Sequence, residues 1–144
     1  MAAYVKFQQF IEDFGNKVHD LVGTSGSTAD VLRVYLTNTA PNVATNAVKA
    51  DLAEIATGNG YAGPISVSNV GSETTGTLTV TGTGTTVTAA GGSIGPFRYV
   101  VLYNDTPTSP ADPLIAYWDN GSSVTLLDTQ QFTITFGANL FTHV

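Results

Sequence analysis

The chain has 144 residues, of which 42% are hydrophobic but only 11% charged, with five basic and eleven acidic residues, a net charge of −6 and no cysteine. A length of this order is one domain's worth and buries roughly 70% of the surface an unfolded chain exposes. The absence of cysteine excludes disulfides, thiolate metal sites and a cysteine nucleophile, and because Arg98 is the one basic residue beyond position 49, the second half forms no basic patch for nucleic acid or anionic membrane.

The first segment, MAAYVKFQQFIEDFGNKVHDLVG, interrupts its apolar positions with Lys6, Glu12, Asp13 and Lys17. It therefore reads neither as a signal sequence nor as a membrane span, and cytoplasmic synthesis and folding follow as the expectation. Phe7, Phe10, Ile11, Phe14, Val18, Leu21 and Val22 recur at steps of three and four, which predicts an amphipathic helix over 3–22 capped by Gly23. Gly15 costs that helix about 1 kcal/mol relative to alanine. Each buried phenylalanine returns about 1.5–3 kcal/mol, so the helix depends on a surface to pack against, in its own subunit or in a neighbour.

A polar loop, TSGSTAD, leads to a predicted strand, VLRVYL (31–36). TNTAPN then turns, because Pro41 lacks a donor and biases Ala40 away from helix. Val48, Asp51, Leu52 and Ile55 predict a second short helix over about 45–56, or else a long structured loop, closed by GNG at 58–60.

From residue 65 the period becomes two. ISVSNV, TLTVT, TTVTA, FRYVVLYN, PLIAYW, SVTLL and FTITF are short runs separated by Gly, Asn, Asp and Pro, the spacing of an all-β sandwich or barrel. In FRYVVLYN the set Phe97, Tyr99, Val101, Tyr103 alternates with Arg98, Val100, Leu102, Asn104; in PLIAYWD, Leu114, Ala116 and Trp118 alternate with Ile115, Tyr117 and Asp119. Apolar bulk on both sides predicts two strands covered on both faces. The linking NDTPTSPADP is too long and proline-rich for a tight hairpin turn, and the two are expected as antiparallel neighbours at the centre. The Thr- and Gly-rich run TGTLTVTGTGTTVTA is expected as a thin, uncharged outer strand pair with open edges.

The predicted class is mainly β: an antiparallel β-sandwich or jelly-roll-like domain with an N-terminal amphipathic α-helix and a second short helix. One domain spans 1–144, divided into the helix (1–23), a strand with a short helix or loop (31–62), the antiparallel region (63–137) and a tail (138–144).

Catalytic chemistry finds no support in the residue pattern. His19 reads as a surface or packing residue and His143 as a tail residue, too far apart in sequence to imply a metal site. Asp105, Asp112 and Asp119 fall at strand ends or in the linking loop, where aspartate caps turns; they lack the alternating spacing of a calcium loop, and nothing selects a glycosidase pair among them. GNG, TGTGT and GGSIG precede no helix and lack the lysine ending of a phosphate loop. No catalytic, cofactor-binding or metal residue is expected. Phe97, Tyr99, Tyr103, Tyr117 and Trp118 are candidates for core or for protein–protein contact; the tyrosines and tryptophan could alternatively stack on sugars.

A 15.0 kDa globule exposes on the order of 7,000 Å². Sixteen charges spread over it leave neutral groups covering most of the outside: either a Thr, Ser, Asn and Gly surface, or one partly withdrawn into interfaces, whose cores are poor in charge.

LTNTAPN (36–42), DLAEIATGNGY (51–61), GGSIGPFRYVVLYND (91–105) and LIAYWDNGSSVTLL (114–127) together resemble a family of small virion proteins of tailed bacteriophages, described as structural or head-decoration proteins. The similarity spans most of the chain apart from 63–90. It implies a β-rich decoration (cement) protein on the outside of the icosahedral head, bridging major capsid subunits, with no catalytic residues to carry over. The implied partners are the major capsid protein and further copies of the chain, as dimer or trimer, with no nucleic acid and no membrane. The alternatives are another virion component, at the head–tail junction or in the tail, and a carbohydrate-binding adhesin module.

Overall fold

The computed structural model describes residues 2–23 and 28–144. The β-branched, period-two runs become strands: β2 (Leu32–Thr37), β3 (Ile65–Ser66), β4 (Val70–Thr74), β5 (Thr77–Thr81), β6 (Thr85–Thr88), β7 (Ile94–Asn104), β8 (Leu114–Leu126) and β9 (Gln131–Ile134). A two-residue strand, β1 (Val5–Lys6), and the helix α1 (Gln8–Gly15) precede them, and β10 (Phe141–His143) follows. They form a five-stranded sheet ordered β1-β8-β7-β2-β3, a three-stranded sheet β10-β5-β4 and a two-stranded ribbon β6-β9. The pairings of these strands are all antiparallel, so the protein is mainly β.

β7 and β8 are neighbours at the centre of the large sheet, with Val100 opposite Trp118 and Leu102 opposite Ala116. Strict alternation along them fails, for a local reason. The register shifts between Phe97 and Tyr99, which pair with Val124 and Asp119, and again between Leu102 and Tyr103, which pair with Ala116 and Leu114. Each irregularity moves a side chain to the opposite face. Phe97 thus leaves the face of Tyr99, Val101 and Tyr103 and joins that of Val100 and Leu102; Leu114 leaves the side of Ala116 and Trp118.

Two buried clusters result. The larger one, on the face of Phe97, Val100, Leu102, Ala116 and Trp118, also gathers Phe10 from α1, Val34 and Leu36 from β2, Val80 from β5, Val87 from β6, Ile134 from β9 and Phe141 from β10. The smaller one, on the opposite face, holds Phe7, Tyr35, Leu52, Tyr99, Val101, Tyr103 and Leu114. The chain between β2 and β3 covers it, anchored by backbone bonds from Leu114 N–H to Ala47 O, Lys49 N–H to Asp112 O and Gln8 N–H to Val43 O at 2.9, 2.9 and 3.0 Å.

Several expectations need correction. The helix expected over 3–22 spans only Gln8–Gly15. Before it, Val5 and Lys6 extend along β8, and Phe7 N–H bonds to Ile115 O at 3.0 Å, so sheet pairing outcompetes the helical pattern. After it, Lys17 adopts φ +61°, with Lys17 N–H bonded to Phe14 O and Val18 N–H to Asp13 O. That pair of bonds is a Schellman stop, built on a lysine rather than on Gly23.

The second helix over 45–56 shrinks to one 3-10 turn, Lys49–Asp51, inside a structured loop. The Thr/Gly run does not pair with itself: β5 pairs with β4 and β10, whereas β6 pairs with β9. PLIAYW and SVTLL are parts of one strand, β8. The 138–144 tail carries β10, whose Phe141 is buried and whose His143 pairs with Leu78. Of the loop TSGSTAD, residues 24–27 lie outside the described residues.

Candidate functional site

The five aromatic candidates lie inside the molecule or at the edge of its interior. Phe97 is 0% exposed and meets Phe132 edge-on at 5.0 Å; Trp118, 4% exposed, lies against Phe136 at 5.0 Å. Tyr99 and Tyr103, 8% and 2% exposed, belong to the smaller cluster, against which half-buried Tyr117 packs. The apolar bulk on both sides of β7 and β8 is therefore covered from within the chain, and the rings of Tyr99, Tyr103 and Trp118 present no open face to a sugar.

Around the smaller cluster is a polar network. Glu54 accepts from Lys49 Nζ at 2.7 Å through one oxygen and from the Tyr61 hydroxyl at 2.7 Å through the other, while that hydroxyl accepts the Leu36 N–H at 3.1 Å. The Lys49 ammonium lies 5.1 Å from the centre of the Tyr35 ring and 5.8 Å from that of Tyr103, within cation–π range. Burial, reinforced by the charge of Glu54, raises the phenol pKa values of Tyr35 and Tyr61 well above the ordinary 10.0. Burial and then Asp105 do the same for Tyr103. These phenols are neutral at physiological pH, those of Tyr61 and Tyr103 donating to Glu54 and Asp105, and both Glu54 oxygens are already engaged. The network fastens the covering loop to β2.

The three loop aspartates act locally. Asp105 pairs with Arg33 at 2.9 Å and accepts from the Tyr103 hydroxyl at 3.1 Å. Asp119 accepts two bonds from Arg98, at 2.8 and 2.9 Å, and one from Gly121 N–H at 2.7 Å; these bonds hold its carboxyl below the usual range. Asp112, at φ +52°, is pushed up by burial and by the charge of Asp105. Among the described residues no three His, Asp or Glu side chains are grouped to hold a metal ion, and no helix is long and apolar enough to cross a membrane.

What faces outward is sheet edge. β4 ends its sheet; its sequence, VGSET, contains neither lysine nor proline, the usual protections of a free edge. Val70 on it is 63% exposed, and Val22, whose backbone passes close over Gly71, is 50% exposed. A Cβ on Gly71 would lie 2.0 Å from Leu21 O, so glycine lets the 20–23 segment lie directly on this strand. β6 and β9 form a ribbon with Val87 and Ile134 turned inward, and Thr86 and Thr133 hydrogen-bonded to each other at 3.1 Å on the outside. Val70 and Gly71 were not legible as surface features, and Val22 read as part of the helical stripe, because local sequence carries no sign of which strand a segment will lie on.

No family model, curated protein or solved structure matches this chain.

Proposed function

We propose that this protein is a decoration protein of a tailed-bacteriophage head, bound as a dimer or trimer to the outside of the shell and bridging major capsid subunits. In this proposal the three sheets, gathered around the larger cluster, form a sandwich of the jelly-roll kind. The resemblance of residues 36–42, 51–61, 91–105 and 114–127 to small virion proteins supports it. Those four segments converge in the fold: Thr37 pairs with Tyr99 and bridges to Glu54, and β7 lies along β8. They make a shared structural centre, as expected of a building block.

The observation that carries the proposal is the outer edge of β4, which has no lysine or proline and one charge, Glu73, and bears Val70 at 63% exposure. Such an edge offers unpaired N–H and C=O groups to another chain. With only sixteen charges the surface limits, though at a net charge of −6 it does not abolish, repulsion between crowded copies, and contacts weak in one copy add through avidity once copies are joined.

The test is to mix purified protein with undecorated shells of its own phage and reconstruct the particles by cryo-electron microscopy. Ordered copies across the head, lost in Val70→Lys with an unchanged melting temperature, are expected. Density in a ring on the tail axis would assign the protein to the head–tail junction or the tail instead.

A further inference from the structure

β4 is the longest strand that ends a sheet: five residues, against four in each strand of the β6–β9 ribbon, three in β10 and two each in β1 and β3. Val70, Ser72, Glu73 and Thr74 on it are exposed. Which of its backbone groups are open follows from the turn that joins it to β5.

Thr75 and Gly76 both have positive φ, +50° and +84°, as a two-residue type I′ hairpin turn requires. Thr74 and Thr77, which flank that turn, then exchange both of their hydrogen bonds. The alternation of an antiparallel ladder turns the N–H and C=O of Val70, Ser72 and Thr74 toward β5 and those of Gly71 and Glu73 away from it. The far side of β5 agrees: the Val80 carbonyl, opposite Gly71, accepts the Leu140 N–H at 2.8 Å, so the Val80 backbone faces β10. Among the described residues, the outward N–H and C=O groups of Gly71 and Glu73 have no partner.

This edge is its own complement. Two copies of β4 laid antiparallel about a twofold axis at Ser72 set Gly71 of each opposite Glu73 of the other, and every outward N–H meets an outward C=O. Other axes do worse. About Gly71, Glu73 meets Asn69, which lies outside the strand with its side chain tied to Leu32 N–H and Asp30 O. About Glu73, like carboxylates stand directly opposite each other. With the axis at Ser72, Glu73, the one charge on the strand, faces a residue without a side chain, and Gly76 N–H holds its Oε1 toward its own turn at 2.7 Å. Val70, 63% exposed, then lies against Thr74 of the second copy.

We propose that two copies of this protein join edge to edge through β4, antiparallel about Ser72, so that the β10-β5-β4 sheet continues across the axis. This pairing rests on the self-association proposed above and fixes its edge and register. A single short strand pair falls short of the roughly 1,000 Å² of a durable interface, so it forms in free solution only at high concentration and is reinforced where copies crowd on a surface.

Because the chain has no cysteine, single substitutions report the register. Ser72→Cys places two thiols in a non-hydrogen-bonded pair with Cα atoms about 4.5 Å apart, within disulfide range. Under mild oxidation of concentrated full-length protein, Ser72→Cys is expected to crosslink several-fold faster than Val70→Cys or Thr74→Cys, which face each other and not themselves. The double variant Val70→Cys, Thr74→Cys should match Ser72→Cys. Fastest crosslinking at Val70 or Thr74 alone, or equal rates at all three positions, would overturn the pairing. In the unsubstituted protein, amide hydrogen exchange at Gly71 and Glu73 should slow as concentration rises, while Ser72, already bonded to β5, stays constant. Unchanged exchange at Gly71 and Glu73 overturns the pairing however the variants fold. Shell binding is scored separately: a crosslinked Ser72→Cys dimer that leaves shells bare counts against the head reading alone, and decorated shells from a protein that fails both tests count against the β4 pairing alone.

Discussion

The two faces of the central sheet are covered by different chemistry. On one side lies a broad aliphatic and aromatic cluster drawn from almost every element, from Phe10 to Phe141. On the other, a small cluster rich in tyrosine is closed by a loop that is itself pinned by Lys49, Glu54 and the Tyr61 hydroxyl. The first cover has enough apolar area to hold by burial alone. The second covers few residues and brings polar backbone with it, so hydrogen bonds and an ion pair fix its position where volume does not. A sheet with apolar bulk on both faces needs no second subunit to hide it when a loop of its own chain can be tied down this way.

The contrast can be broken most strongly from the large face. Phe97→Ala should cost about 3–5 kcal/mol, measured by urea unfolding, because the ring is wholly buried and its Phe132 contact is lost. Tyr61→Phe should cost about 1–3 kcal/mol in the same assay, since it leaves the Leu36 N–H and one Glu54 oxygen without their partner. A similar cost for a volume-neutral change on the large face, such as Leu102→Met, would dissolve the distinction between the two covers.

Alkali should loosen the tyrosine-rich side. The folded pKa values of Tyr35 and Tyr103, in that cluster, and of Tyr61, whose ring packs in the larger one while its hydroxyl holds the loop, lie above the ordinary 10.0. Above pH 10 the unfolded chain therefore binds fewer protons than the folded one, and stability falls as pH rises. Melting temperature followed from pH 9 to 11 in wild type and in Tyr103→Phe checks this, the variant showing the shallower decline.

Acid acts on the N-terminal seam with the opposite sense. His19 has a folded pKa below its ordinary 6.5, so the unfolded chain binds more protons as pH drops through 6.5. The stability this neutral ring contributes is present above that value and is lost below it. A fall in melting temperature between pH 7 and 5, flattened in His19→Gln, is the expected result.

Smallest of all is Tyr35→Phe. Its buried hydroxyl has no partner among the described residues, so removal should change stability by less than about 0.5 kcal/mol or raise it slightly. A large loss there would mean that the hydroxyl, and not only the ring, holds the loop.

The mainly β class, the places of most strands and the central pairing of FRYVVLYN with PLIAYW were legible in the chain alone, because alternation and β-branching are local properties. Phe97, Tyr99, Tyr103, Tyr117 and Trp118 stood out there as the bulky set. Which face each of them takes emerged in three dimensions, since a register shift between paired strands reverses sidedness without altering composition. The same holds for the helix. Apolar spacing over 3–22 was compatible with a long helix, yet pairing of Val5 and Lys6 with β8 and a left-handed Lys17 reduced it to Gln8–Gly15. The burial of His19 belongs wholly to this second level, since its Nδ1 meets the Asn104 amide, 85 positions along the chain, only once β7 lies beside the N-terminal segment. Local pattern fixes which elements can form; competition among long-range contacts decides where they stop and what they face.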